Sequence, residues 1–218
     1  MRSFQESQGP QWAALPGPQP LFLESPMAKR VFFSFHYQDV IDFRANVVRK
    51  AWVTKNRDQA GFFDASIWEE AEKKGSLALK RLINGAIRGT SATAVLIGSD
   101  TANRRWVRYE IFKSIEKGNR VIALHINGIR GKDKKTKTKG TNPLKVLGLQ
   151  YSDDGKKVTP CYRSGGNWRT FEDVDTYTVA ATAAKVKWGK THSLHALGRK
   201  TYDWFADDGY NNLGTWVG

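Results

Sequence analysis

The chain has 218 residues, 40% hydrophobic and 26% charged, which is material for one solid core with a smaller appendage. No apolar run approaches the ~18 residues of a membrane-spanning helix, and no basic-then-apolar signal peptide opens the sequence. A single cysteine, Cys161, excludes an internal disulfide, metal sites of the usual Cys/His spacing are absent, and a cytoplasmic protein is expected.

The formal net charge of +14 suits a polyanionic partner, either a phosphate-bearing small molecule or a nucleic acid. Residues 1–26 hold five of the seven prolines and four glutamines, with no hydrophobic period, so a disordered or extended leader is expected there. Met27 stands directly ahead of the first regular element, and the leader reads as an upstream start or an added extension. RVFFSF (Arg30 to Phe35) predicts a strand. Asp39 to Trp52 follows with Val40, Phe43, Val47 and Ala51 at helical spacing. GFFDAS (Gly61 to Ser66) predicts a second short strand. Ser76 to Ile87 is a helix with Leu79, Ile83 and Ile87 one turn apart. Ala92 to Ser99 is a buried strand, Thr101 to Lys117 a helix with Val107, Ile111 and Ile115 in a row, and Arg120 to Ile126 another apolar strand. Strands alternating with helix-length crossovers argue an α/β fold, a parallel sheet with helices on both faces.

KDKKTKTK (Lys132 to Lys139) carries five lysines between Gly131 and Gly140 and reads as a solvated loop. Lysines without interleaved aromatics are poor equipment for nucleic acid. After Gly140 the alternation stops. Residues 27–150 are therefore expected to form the sheet domain, and 151–218 an elaboration packed on it, with a hairpin over Tyr162 to Phe171.

Ligands of open parallel sheets bind outside the carboxyl ends of the strands. The residues placed there are Ser34, Phe35, His36, Tyr37 and Asp39 after the first strand; Asp64, Ala65, Ser66 and Trp68 after the second; and Gly98, Ser99 and Asp100 after the third. The helix that follows carries RWVRYEI, in which Trp106 and Glu110 lie one turn apart on one face, outside the apolar row. That is an aromatic, carboxylate-bearing, partly basic pocket suited to a nucleotide. No GxGxxG, GxxxxGK[ST] or GxSxG is present, which disfavours Rossmann redox chemistry, P-loop phosphoryl transfer and a serine nucleophile elbow.

VFFSFHYQD (Val31 to Asp39) resembles the opening strand and loop of TIR domains. SDTANRRWVRYEI (Ser99 to Ile111) is similar to the TIR segment in which Ser and Trp precede a Glu. From Met27 to the C-terminal YDWFADDGYNN the chain resembles the TIR-like proteins of the bacterial Thoeris anti-phage system. The resemblance implies a flavodoxin-like fold. It also implies cleavage of NAD⁺ with release of nicotinamide and formation of a cyclic ADP-ribose isomer. That product would act on a ThsA-type effector, with a phage-derived trigger and a homo-oligomer among its possible partners. NAD⁺ would be the substrate, and no resident cofactor and no metal is implied. Glu110 takes the catalytic place, with Phe35, His36, Asp39, Ser66, Ser99 and Trp106 as substrate-binding candidates. The Arg-Asp-x-x-Pro-Gly loop of animal and plant TIR domains is replaced by DASIWEEAEKKG (Asp64 to Gly75).

Each candidate also has an ordinary structural reading. Glu110 could pair with neighbouring Arg or Lys in solvent, Trp106 could anchor a core, His36 could be a loop imidazole bonded to backbone, and Asp39 could cap a helix. Glu69, Glu70 and Glu72 read as a solvated charge run, with Glu69 close to the pocket in sequence. Two other functional classes stay open: a non-catalytic assembly module and a basic nucleic-acid-binding protein.

Overall fold

A computed structural model describes residues 30–37, 39, 42–55, 65–180 and 185–218 of the chain. The leader therefore lies outside the described residues, as do Val40 and Gly61 to Asp64 of the expected second strand. The last two residues of that expected strand, Ala65 and Ser66, instead open a helix, α2 (Ala65–Lys73). A short polar-ended run is compatible with either state, and here the downstream Trp-Glu-Glu-Ala-Glu-Lys pattern decides for helix.

Four strands form a parallel sheet in the order β1-β2-β3-β9: β1 (Val31–Ser34), β2 (Ala92–Ile97), β3 (Arg120–His125) and β9 (Thr201–Asp203). Strand periodicity sends alternate side chains to opposite faces. Val31, Phe33, Ala92, Ala94, Leu96, Ile122 and Leu124 pack on one face with Ala45, Val48, Ala51 and Trp52 of α1 (Arg44–Thr54). Phe32, Val95, Ile97, Val121 and Ala123 pack on the other with α3 (Ser76–Arg88) and α4 (Arg105–Glu116). Both faces of the sheet are covered, so its strands read as continuous apolar runs. In α3, Leu79, Ile83 and Ile87 are the buried row, as their spacing predicts.

The first helix differs from its expected phase. It begins at Arg44, after Phe43 in a left-handed conformation (φ 64°), and its buried face is Arg44, Ala45, Val48, Ala51 and Trp52. Phe43 and Val47 are 48% and 41% exposed. The cause is Arg44, an unlikely core residue by type, whose Nε donates to Ile129 O at 2.9 Å and Nη2 to Lys135 O at 2.7 Å. Its Nη1 pairs with Asp42 at 3.1 Å. A guanidinium bonded at all three nitrogens can be buried, and the buried face runs through Arg44, Val48 and Trp52, one residue on from the expected Phe43 and Val47, with Ala51 common to both. The same bonds pin the start of the lysine-rich loop, whose residues 132–136 are exposed, as expected of a solvated loop.

The expected helix over Thr101 to Lys117 is split. A single 3₁₀ turn (Thr101–Asn103) precedes α4, and the break falls at Arg104, which is extended.

Beyond the loop, the short α5 (Pro143–Val146) is capped by Asn142 and leads into an antiparallel sheet ordered β6-β5-β4-β8. Its strands are β4 (Leu147–Tyr151), β5 (Lys157–Ser164), β6 (Asn167–Thr170) and β8 (Thr191–Ser193), with β7 (Tyr177–Thr178) paired to β5. The β5–β6 hairpin turns at Gly165 and Gly166, with φ of 56° and 82°, a two-residue turn that needs left-handed backbone at both positions. A boundary at residue 150 would cut β4. Residues 151–218 also do more than pack on the sheet domain: β9 is the fourth strand of the parallel sheet, and α6 (Gly209–Trp216) contributes Leu213 to the core beside α1. Three-residue strands carry no readable period, so their pairing belongs to tertiary structure.

Candidate active site

The carboxyl end of β1, the start of α4 and one side of α2 enclose a cleft of about 470 Å³, the size of ordinary small-molecule sites. From β1 and the loop after it come Phe33, Phe35, His36 and Tyr37; from α2, Trp68, Glu69 and Glu72; from the α4 entry, Arg104, Arg105, Trp106, Val107 and Glu110. Trp106 and Glu110 do share a face, and that face lines the cleft.

Glu110 is 5% exposed and accepts a 2.5 Å hydrogen bond at Oε2 from Ser34 Oγ, itself fully buried. One turn on, Ser114 bonds Thr93 at 2.8 Å, so α4 lays a polar strip along the sheet below its apolar row. Burial pushes the Glu110 carboxyl up to about 8, against the Ser34 bond, which pulls it down. An ordinary helix-surface Glu would be ionised and solvated; this one is neither.

Trp106 satisfies both of its readings. It is half-buried, edge-on to Tyr109 at 5.9 Å and packed against the core, while also walling the cleft. The Arg105 guanidinium lies over its ring, 4.9 Å from the centroid. Arg105 is in turn held bidentately by Asp173, at 2.6 Å for each bond, and Lys80 also pairs with Asp173 at 3.3 Å. That arrangement holds the Asp173 carboxyl below its usual range. The C-terminal elaboration thus clamps the first turn of α4. Arg104 pairs with Asp100 on the surface. His36 is half-buried on the cleft, and burial, followed by Arg104, lowers its pKa.

The remaining candidates are elsewhere. Asp39 is 3% exposed and packs against Gly98, where a Cβ would sit 2.1 Å from Asp39 Oδ2. It caps no described helix, since Phe43 precedes α1; burial raises its carboxyl to about 6, opposed by Lys137 and Arg44. Ser99 is exposed and outside the cleft lining. Ser66 lies in the first turn of α2, and its side chain is outside the described residues. Sequence reasoning put Ser34 at the right edge of the sheet without assigning it the carboxylate. The signal was present in the alternation of β1: Phe32 faces the α4 side, and so must Ser34. Glu72 was read as part of a solvated charge run, and the adjacent Arg104 and Arg105 at the α4 entry were not assigned to the cleft, because a charged residue at a helix end looks the same whether it faces a cleft or bulk water.

A doubly covered parallel sheet with a buried helix carboxylate opening on an aromatic cleft is the arrangement expected of a TIR-like α/β domain. Residues 32–130 match the family described as Thoeris protein ThsB, TIR-like domain. The chain is also 58% identical over 192 residues, 88% of its length and 100% of the relative's, to a Bacillus cereus (strain MSX-D12) protein named as a cyclic ADP-D-ribose synthase, ThsB1. The chain belongs to the ThsB family of TIR-like proteins.

Proposed function

We propose that the chain is the NAD⁺-consuming cyclase of a Thoeris anti-phage system. It cleaves the bond between nicotinamide and ribose and closes the remaining ADP-ribose into a cyclic isomer. The likeness to a relative named for that synthesis supports the reading, and the observation that carries it is Glu110, a buried carboxyl held by Ser34 at the floor of an aromatic cleft.

The nicotinamide ring of NAD⁺ is cationic, so it departs with the bonding electron pair and needs no acid. Positive charge then develops on the ribose, as in glycoside cleavage, and a fixed carboxylate stabilises it more in the transition state than in the ground state. Without substrate, Glu110 is mostly protonated at neutral pH, given its value of about 8. The substrate corrects this. A positive charge ~4 Å away at an effective dielectric of ~20 contributes roughly 4 kcal/mol, or about three pK units. A nicotinamide cation held beside Glu110 favours its ionised form, opposed by the more distant diphosphate, and to the extent that binding ionises the carboxyl it releases a proton.

Phe35, Trp68 and Trp106 offer faces for the nicotinamide and adenine rings and keep water from the ribosyl cation. Arg104, whose surface pair with Asp100 exchanges readily, meets the diphosphate near the start of α4. Glu69 and Glu72 accept from ribose hydroxyls. A hydroxyl of the same ADP-ribose captures the cation, losing its proton as the new bond forms. NAD⁺ is consumed as substrate, and this chemistry calls on no resident cofactor. The diffusible product acts on a ThsA-type effector, with an infection-derived trigger upstream.

The test is chromatography with mass spectrometry of NAD⁺ incubated with wild type and Glu110→Gln, as purified protein and in lysates of phage-infected cells. Nicotinamide and a product of cyclic ADP-ribose mass from wild type alone is the expected result. Infected lysates in which neither protein releases nicotinamide would sink the catalytic reading and leave an assembly module.

A further inference from the structure

The geometry points to Ser34 as a positioning residue for this reaction: its hydroxyl fixes which oxygen of Glu110 is left for the cleft and favours the ionised carboxylate. The inference rests on the reading of Glu110 as the reacting group. Ser34 ends β1, and the alternation that sends Phe32 toward α4 sends the hydroxyl there too. The bond to Glu110 spans 76 positions of sequence and is buried at both ends, so bulk water does not compete for it. Because the hydroxyl occupies Oε2, Oε1 is the oxygen left for substrate.

A hydroxyl can donate to either charge state of a carboxyl, but a donor bond to the anion is the stronger. Burial and Ser34 are the two influences on Glu110's titration, and they oppose each other. The other titratable or charged groups on the cleft are His36 and Tyr37 from the loop after β1, Glu69 and Glu72 from α2, and Arg104 and Arg105 from the α4 entry. None of them replaces the hydroxyl at Oε2.

The experiment compares the pH profile of kcat/KM for nicotinamide release in wild type, Ser34→Ala, Ser34→Thr, Glu110→Gln and the Ser34→Ala/Glu110→Gln double variant. In parallel, the Glu110 carboxyl is titrated by ¹³C NMR without substrate. Ser34→Ala is expected to move the acid limb, and the carboxyl titration, upward by about one pH unit and to lower the plateau about tenfold. Ser34→Thr, which keeps the hydroxyl, restores both. In the Glu110→Gln background, Ser34→Ala changes the residual rate less than twofold, because the residue it acts through is gone. If Ser34→Ala melts below the assay temperature, Ser34→Cys, a near-isostere with a weak donor, is expected to shift the same way. An unmoved carboxyl titration, or an equal loss in both backgrounds, overturns the inference. Equal nicotinamide release by wild type and Glu110→Gln overturns instead the reading of Glu110 as the reacting group, on which the inference rests.

Discussion

Replacing Glu110 by Gln should stabilise the protein, and by an amount that grows with pH. The unfolded chain ionises this carboxyl at 4.5 and the native state at about 8, so between those values the native state holds a proton that the unfolded state has lost. Stability from this group is therefore complete below pH 4.5 and is lost as pH rises through about 8. With 1.36 kcal/mol per unit, the 3.5-unit gap amounts to about 5 kcal/mol in full and about 4 kcal/mol at pH 7.5, an upper bound because water in the cleft lowers it. Gln carries no charge and still accepts from Ser34. For a domain of this size, each 1 kcal/mol moves Tm by ~2–4 °C. Differential scanning calorimetry of both proteins at pH 5 and pH 8 is the assay. The two should melt within about 2 °C of each other at pH 5, and Gln should lead by roughly 5–15 °C at pH 8. A Tm difference that does not change with pH would show that Glu110 is ionised in the empty site, and the burial argument would fail.

The same titration predicts that wild-type kcat/KM for NAD⁺ rises about tenfold per pH unit up to about 8, with a proton released on binding; calorimetry in two buffers of different ionisation enthalpy detects that proton. Trp68→Ala and Trp106→Ala should each raise KM roughly tenfold or more through lost ring stacking, while Trp106→Ala should also lower Tm because that indole packs on the core; steady-state kinetics and melting separate the two. Asp173→Asn releases Arg105, which is half exposed, so stability should fall by only about 1 kcal/mol; the KM rise should exceed the kcat loss if the clamp serves the Trp106 wall. Neutralising Lys132, Lys134 and Lys135, all exposed, should leave nicotinamide release unchanged, and a loss of more than threefold would contradict their assignment to a solvated loop.

Strong periodicity was readable from the chain alone. β1, β2 and β3 are apolar runs bounded by polar residues, and Leu79, Ile83 and Ile87 mark the buried row of α3. Trp106 and Glu110 are a local pair, one helical turn apart, so their shared face follows from α-helix geometry without knowledge of the rest. The hairpin at Gly165 and Gly166 was legible for the same reason: its turn chemistry is contained in adjacent residues.

Contacts between distant residues were decided only by the tertiary structure. The alternation of β1 sets the face on which Ser34 lies, but only the tertiary structure brings its hydroxyl to a carboxyl 76 residues later, and nothing near Glu110 reveals that burial, not solvent, surrounds it. Arg44 looks like a surface residue until two carbonyls of a remote segment, with the neighbouring Asp42, satisfy it, and it then lies on the buried face of α1. β9 is too short to carry a period and exists because β3 offers it an open edge. Periodicity and turn chemistry are local, and one sequence encodes them directly. The protonation of a carboxyl and the choice of its partner depend on what the whole chain brings within a few ångströms, and that is settled only when the sheet, α2 and α4 close around the cleft.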